Sequence, residues 1–258
     1  RRRTTSPDGS DRQGATAMTA DRDVTAAVPE REGTRQHFDE TLEQIKQDLV
    51  TMGSLVLENV RRAGDAMVES RLDLVEVVRE VDDQVDQLYL EAEKLTFETL
   101  ARQQPVAGDL RFLVAATRIL YELERSGDLA YNCVKMLARV DGFPQHPLIT
   151  PLLEASVTAS CKVFAQGIDA LADLVPDAGA KLDAADDEVD HMVSELYTVV
   201  GRHSFEVGLE VAIALSRVGR FLERIADHAV NIGEHVTYTV TAALPGEGHN
   251  ATADEDGG

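Results

Sequence analysis

Cysteine is nearly absent. Cys133 and Cys161 are the two in 258 residues, and they do not occupy matching places in the repeat described below. That excludes a disulfide framework and points to buried thiols in a reducing compartment. Glycine and proline are scarce through the middle of the chain, and long alternating strand patterns are missing, so helix formers dominate and the expected class is all-α. No apolar run approaches the ~18–20 residues that a membrane span needs. The start, RRRTTSPDGS, has no apolar core after it, so no signal peptide is visible and a cytoplasmic protein is expected. Basic residues are outnumbered, 25 against 46 acids, for a net charge of −21. Residues 1–33 balance six arginines against six acids, and 246–258 carry four net negative charges, which leaves −17 on 34–245. A body that acidic repels phosphate backbones, so nucleic acid is disfavoured, and cations or basic protein patches are the favoured partners.

What the chain does have is a repeat. LERSGDLAYN at 123–132 returns as LERIADHAVN at 222–231. Glu124, Arg125, Asp128, Ala130 and Asn132 correspond to Glu223, Arg224, Asp227, Ala229 and Asn231, at a constant offset of 99. DDQVD at 82–86 returns as DDEVD at 186–190. Two signals in the same order at nearly the same spacing mean an internal duplication.

Apolar periodicity outlines three helices per repeat. The first, about 34–70, carries Phe38, Leu42, Ile45, Leu49, Met52, Val56, Val60, Ala63 and Met67 at three- and four-residue steps. The second, about 73–103, carries Leu74, Val77, Val78, Val81, Val85, Leu88 and Leu95 before Pro105 stops it. The third spans about 106–140. The segment 141–151, DGFPQHPLITP, is a linker. Helices at about 152–175, 180–203 and 206–243 repeat the plan, with PDAG at 176–179 as a break. The expectation is six long antiparallel helices in two tandem three-helix bundles, 34–140 and 152–243, related by a pseudo-twofold axis. The tails 1–33 and 244–258 are expected to be disordered.

Each repeat holds two carboxylate pairs at i and i+4. They are Asp82 with Asp86 and Glu124 with Asp128, then Asp186 with Asp190 and Glu223 with Asp227. Such residues share one helix face, and like charges there repel unless a cation joins them. Hard di- or trivalent cations take oxygen ligands. About eight such pairs arise by chance at this acid content, and a single pair reads as a solvated face. Recurrence at matched places in both repeats is what points to metal. Arg125 and Arg224 read as surface charge or as salt bridges to a neighbouring helix, and Asn132 and Asn231 stay undecided. Asp109 and Arg111 read as ordinary chemistry for a helix start. Glu188 and His191 have Glu-x-x-His spacing, but the first repeat has Gln87 at the matching place, so His191 and His228 read as surface histidines. There is no Gly-rich phosphate loop, nucleophile elbow or Cys/His zinc spacing. The residues leave open a binding regulator, a metal-dependent carboxylate enzyme or metal store, and a plain helical scaffold.

QQPVAGDLR at 103–111, the two LER-containing motifs, the two acidic motifs and the tandem three-helix order together resemble the PhoU family over about 34–243. The resemblance implies two three-helix bundles and metal ions (iron, zinc, manganese or magnesium) held by Asp82, Asp86, Glu124, Asp128, Asp186, Asp190, Glu223 and Asp227. It implies a non-enzymatic regulator that restrains the phosphate-starvation response. The implied partners are the ATPase subunit of the phosphate transporter, a sensor histidine kinase and a second copy in a homodimer, with membrane contact only through partners. Family members often have Ile-Gly before the motif aspartate. Here Ser126-Gly127 and Ile225-Ala226 stand there.

Overall fold

The computed structural model describes residues 28–244, with side chains from Arg35 onward. The expectation of disordered tails therefore falls, for 1–27 and 245–258, outside the described residues. Seven helices follow in order: α1 Val28–Val68, α2 Leu74–Gln103, α3 Ala107–Arg139, α4 Ile149–Asp173, α5 Ala178–Arg202, α6 Ser204–Val207 and α7 Leu209–Thr241. No strand occurs among the described residues. Four boundaries differ from expectation: α4 begins at Ile149, so 149–151 of the expected linker are helical, and α5 begins at Ala178, inside the expected 176–179 break. α1 begins at Val28 rather than Thr34, so 28–33 are helical. The last long helix is cut in two at Gly208, whose φ of +89° is a conformation that glycine adopts without strain.

The expected stripes form the core. Ile45, Leu49, Met52, Val56, Val60, Ala63 and Met67 are buried along α1, as are Val78 and Val85 on α2. Val77 is an exception and faces solvent. From Phe38 onward the chain makes one compact unit.

Close approaches fix the helix directions. A Cβ at Gly53 would meet Ile168, and one at Gly64 would meet Val157, so α1 and α4 run antiparallel. On α7, Gly219 abuts Val193 and Tyr197, while Glu234 abuts Gly179, so α5 and α7 are antiparallel too. Ser160 Oγ reaches the Leu222 carbonyl at 3.2 Å and Gly167 packs on Ala229, so α4 and α7 run parallel. The second half is thus an up-down-up trio. α3 and α7 meet antiparallel: Arg111 Nε donates to the Thr239 carbonyl at 3.4 Å, and Glu122 pairs with His228. In both pairs the residue numbers add to 350, which sets one register for the seam. Equivalent helices of the two halves, α1 with α4 and α3 with α7, therefore cross head to tail, as a twofold relation requires. The turns beside this seam interlock as well. Gln145 Nε2 caps the Val68 carbonyl at 2.7 Å, and Gly142, at φ +101°, has no room for a Cβ beside Ser70 Oγ.

Candidate metal centre

α2 and α3 bring the four acids of the first half together. Asp82 is buried, at 8% exposure, and Gly127 makes room for it: a Cβ there would lie 3.1 Å from Asp82 Oδ1. Burial, with the charges of Asp128 across the groove and Asp86 one turn along, pushes Asp82 up to about 7. Burial and then Asp128 also raise Asp86. Glu124 is raised by burial and Asp128, against a smaller pull from Arg125. Asp82, Asp86 and Glu124 all feel the charge of Asp128, and two of the four acids come from each helix. Arg125 is exposed and stays on its own helix, 3.3 Å from Asp128 and 3.1 Å from the Tyr121 hydroxyl.

The second half repeats this with one change. Asp186 is pushed up to about 7 by burial, Asp190 and Asp227, and its Oδ1 is buried without a hydrogen-bond partner. Burial raises Asp227 while Arg220 opposes it. Glu223 accepts from Arg220 Nη1 at 2.8 Å and from the Tyr197 hydroxyl at 3.5 Å. The first half has Tyr121 where Arg220 stands, so the arginine comes from a different place in each cluster: Arg125 pairs with Asp128 and Glu124 in the first, Arg220 with Glu223 in the second. A donor set made only of carboxylate oxygens, with one oxygen orphaned in the interior, suits a hard cation.

Among the described residues, no three of these eight carboxylates have ligand atoms within 4.8 Å of one another; His146, His203 and Glu206 do. That trio is already satisfied. His146 Nδ1 accepts the backbone N–H groups of Leu148 and Ile149, both at 3.3 Å, so its proton sits on Nε2 and points at Glu206 Oε2, 3.4 Å away. His203 Nδ1 binds the other oxygen at 2.8 Å. A metal on His146 Nε2 would move the proton to face two donors, which argues against a cation there.

Sequence reasoning missed a polar crossing between the halves. His228 is buried, not at the surface, and its Nδ1 hydrogen-bonds Glu122 across the α3–α7 seam. Asn231 Nδ2 donates to the same carboxylate at 3.3 Å, which settles its role. Burial pushes Glu122 up, but His228 and Asn231 together hold it below the usual carboxylate range. His235, also buried, is lowered by burial and by Arg118. The signal was present: Ile225, His228, Ile232 and His235 follow three- and four-residue steps along one buried face. His191 is exposed, as expected. Cys133 and Cys161 are free and buried, and burial raises both thiols, Cys161 to about 11.

A family model described as the PhoU domain matches this chain twice, over residues 49–137 and 156–236. The chain belongs to the PhoU family. Each match takes in one LER-containing motif and one acidic motif. The phosphate-specific transport system accessory protein PhoU homolog of Synechocystis is 33% identical over 208 residues, spanning 80% of this chain and 92% of that one. PhoU homolog 1 of Mycobacterium tuberculosis is 32% identical over 225 residues, 84% and 99% of the two chains. The crystal structure of PhoU from Pseudomonas aeruginosa superposes with a TM-score of 0.75 at 28% identity, covering 80% of this chain and all of the other. The PhoU of Streptococcus pneumoniae, 23% identical with a TM-score of 0.70, shares the fold.

Proposed function

We propose that this PhoU-family chain is a non-enzymatic regulator of phosphate uptake and of phosphate-starvation signalling. The observation that carries the reading is the double family match, joined to relatives named as accessory proteins of the phosphate-specific transport system and matched over nearly their whole length. No described helix is long and apolar enough to cross a membrane. On this reading the chain works from the cytoplasm, docked on the ATPase subunit of the transporter, and relays transporter state to a sensor histidine kinase, as a homodimer. Asp82, Asp86, Glu124 and Asp128, with Asp186, Asp190, Glu223 and Asp227, would hold di- or trivalent cations. A bound cation would supply positive charge that lets four mutually repelling carboxylates ionise together and ties α2 to α3 and α5 to α7. Support for this comes from the raised Asp82 and Asp186 and from the orphaned Asp186 oxygen. Deleting the gene should derepress phosphate-starvation genes in cells grown at high phosphate, and re-expressing the chain should silence them again. Expression that is the same with and without the gene overturns the proposal.

A further inference from the structure

The repeat extends further upstream than the LER-containing motifs. At the offset of 99, Val106, Leu110, Val114 and Arg118 correspond to Phe205, Leu209, Ile213 and Arg217. Leu110, Val114 and Arg118 share one face of α3, and Leu209, Ile213 and Arg217 one face of α7; Val106 extends the first row from the residue before α3, and Phe205 the second from α6 across the Gly208 break. Both rows lie open. Val106 is 69% exposed and Leu209 70%, Phe205 is fully exposed, and Leu110 and Ile213 are also exposed. Isolated exposed apolar residues are ordinary, but two matched rows are not.

Each row ends at a cavity, and the two cavities are counterparts. One is lined by Val114, Ala115, Arg118, His235, Tyr238 and Leu244. The other is lined by Ile213, Ala214, Arg217, Met136, Arg139 and Glu210. They measure about 280 and about 50 Å³ and open at opposite ends of the α3–α7 seam. That suits a side chain or two rather than a whole small ligand. Burial and Arg118 keep His235 below its usual range, so the guanidinium is the positive charge of the first cavity. In the second, Arg139 and Arg217 outnumber Glu210. Arg62, Arg71, Arg79, Arg102, Arg125 and Arg220 sit in ion pairs. Among the described residues Arg118 and Arg217 do not, nor do Arg61, Arg111, Arg139, Arg202 and Arg224, but of these only Arg118 and Arg217 match each other in the repeat. An acidic chain that keeps the same arginine unpaired in both copies of its repeat offers it to something outside. The body's −17 does not forbid an acidic partner there, because charges beyond about 8–10 Å are screened at ordinary salt.

We propose that the two ends of the α3–α7 seam are equivalent docking notches for an amphipathic helical partner segment. The segment lays apolar side chains on Val106–Leu110–Val114 or Phe205–Leu209–Ile213 and a carboxylate against Arg118 or Arg217. By the seam register the two arginines stand about 22 Å apart along the helices, 15 residues of rise. Two segments, or the two arms of a twofold partner, bind at once. The site is separate from the carboxylate clusters and does not depend on a metal.

The test uses the full chain and a fluorescein-labelled 20-residue helical peptide with leucines four apart and glutamates beside them, plus a twin with lysine for glutamate. Anisotropy at low salt should show saturable binding of two acidic peptides per chain and a weaker lysine twin. Arg118→Glu or Arg217→Glu should each remove one site. The double reversal should weaken the acidic peptide about tenfold and make the lysine twin the better ligand. Should a reversal disturb folding, Arg118→Gln with Arg217→Gln should give an intermediate loss. A wild type that prefers the lysine twin, an acidic peptide that does not saturate, or a preference unmoved by both arginine pairs would overturn the proposal.

Discussion

Asp82 and Asp186 hold carboxyl groups that the fold would rather keep protonated. Both are raised to about 7 because burial removes water and neighbouring carboxylates add like charge. The unfolded value is about 3.9, so the folded chain binds the proton more readily between about pH 4 and 7. Stability from this source is therefore full at low pH and falls as pH rises through that window. Asp82→Asn, in a chelator, should melt a few degrees above wild type at pH 8 and no higher at pH 4, followed by circular dichroism. An equal shift at both pH values would mean that the gain came from packing. Glu122 has the opposite sign: its carboxyl is depressed, so its contribution is present above the unfolded value and is lost on acidification.

Between elements, the seam of α3 and α7 carries one place where the duplication stops being symmetric in character. Glu122 faces His228 on one side of the axis, and by the same register Leu129 faces Phe221 on the other. Removing one member of a buried pair strands the other, so His228→Leu should cost about 3 kcal/mol in urea unfolding at pH 7. Glu122→Phe together with His228→Leu copies the apolar side and should recover most of that loss. A double variant as unstable as the single one would contradict this reading. The seam also marks the limit of what could be read beforehand. The long helices were legible because each must bury a continuous stripe, and residues from Ile45 to Met67 repeat at that period. The break at Gly208 was not legible, since a glycine within a helical pattern is tolerated and only its positive φ reveals the turn. Glu122 and His228 escaped because a charged residue on a stripe reads as surface until its partner on another helix is known.

Across the whole molecule, the duplication does for the acids what it does for the core. Spacing of four placed each pair on one face, and the repeat placed the pairs at matched sites, so the convergence of Asp82, Asp86, Glu124 and Asp128 was legible. Arg220 standing where the first half has Tyr121, three residues before Glu223 on the same helix, was visible in the sequence, and the two pair at 2.8 Å. Each cluster thus carries one arginine, Arg125 beside Asp128 and Glu124 in the first half and Arg220 on Glu223 in the second, and both should take up cation. Metal uptake by the purified full chain, counted by elemental analysis after dialysis against iron, zinc, manganese or magnesium, tests the centre most directly. The account predicts that wild type retains cation and that changing Asp82, Asp86, Glu124 and Asp128 to Asn or Gln, with helicity preserved, removes about half of it. A wild type that retains none, or a variant that retains as much, would contradict it.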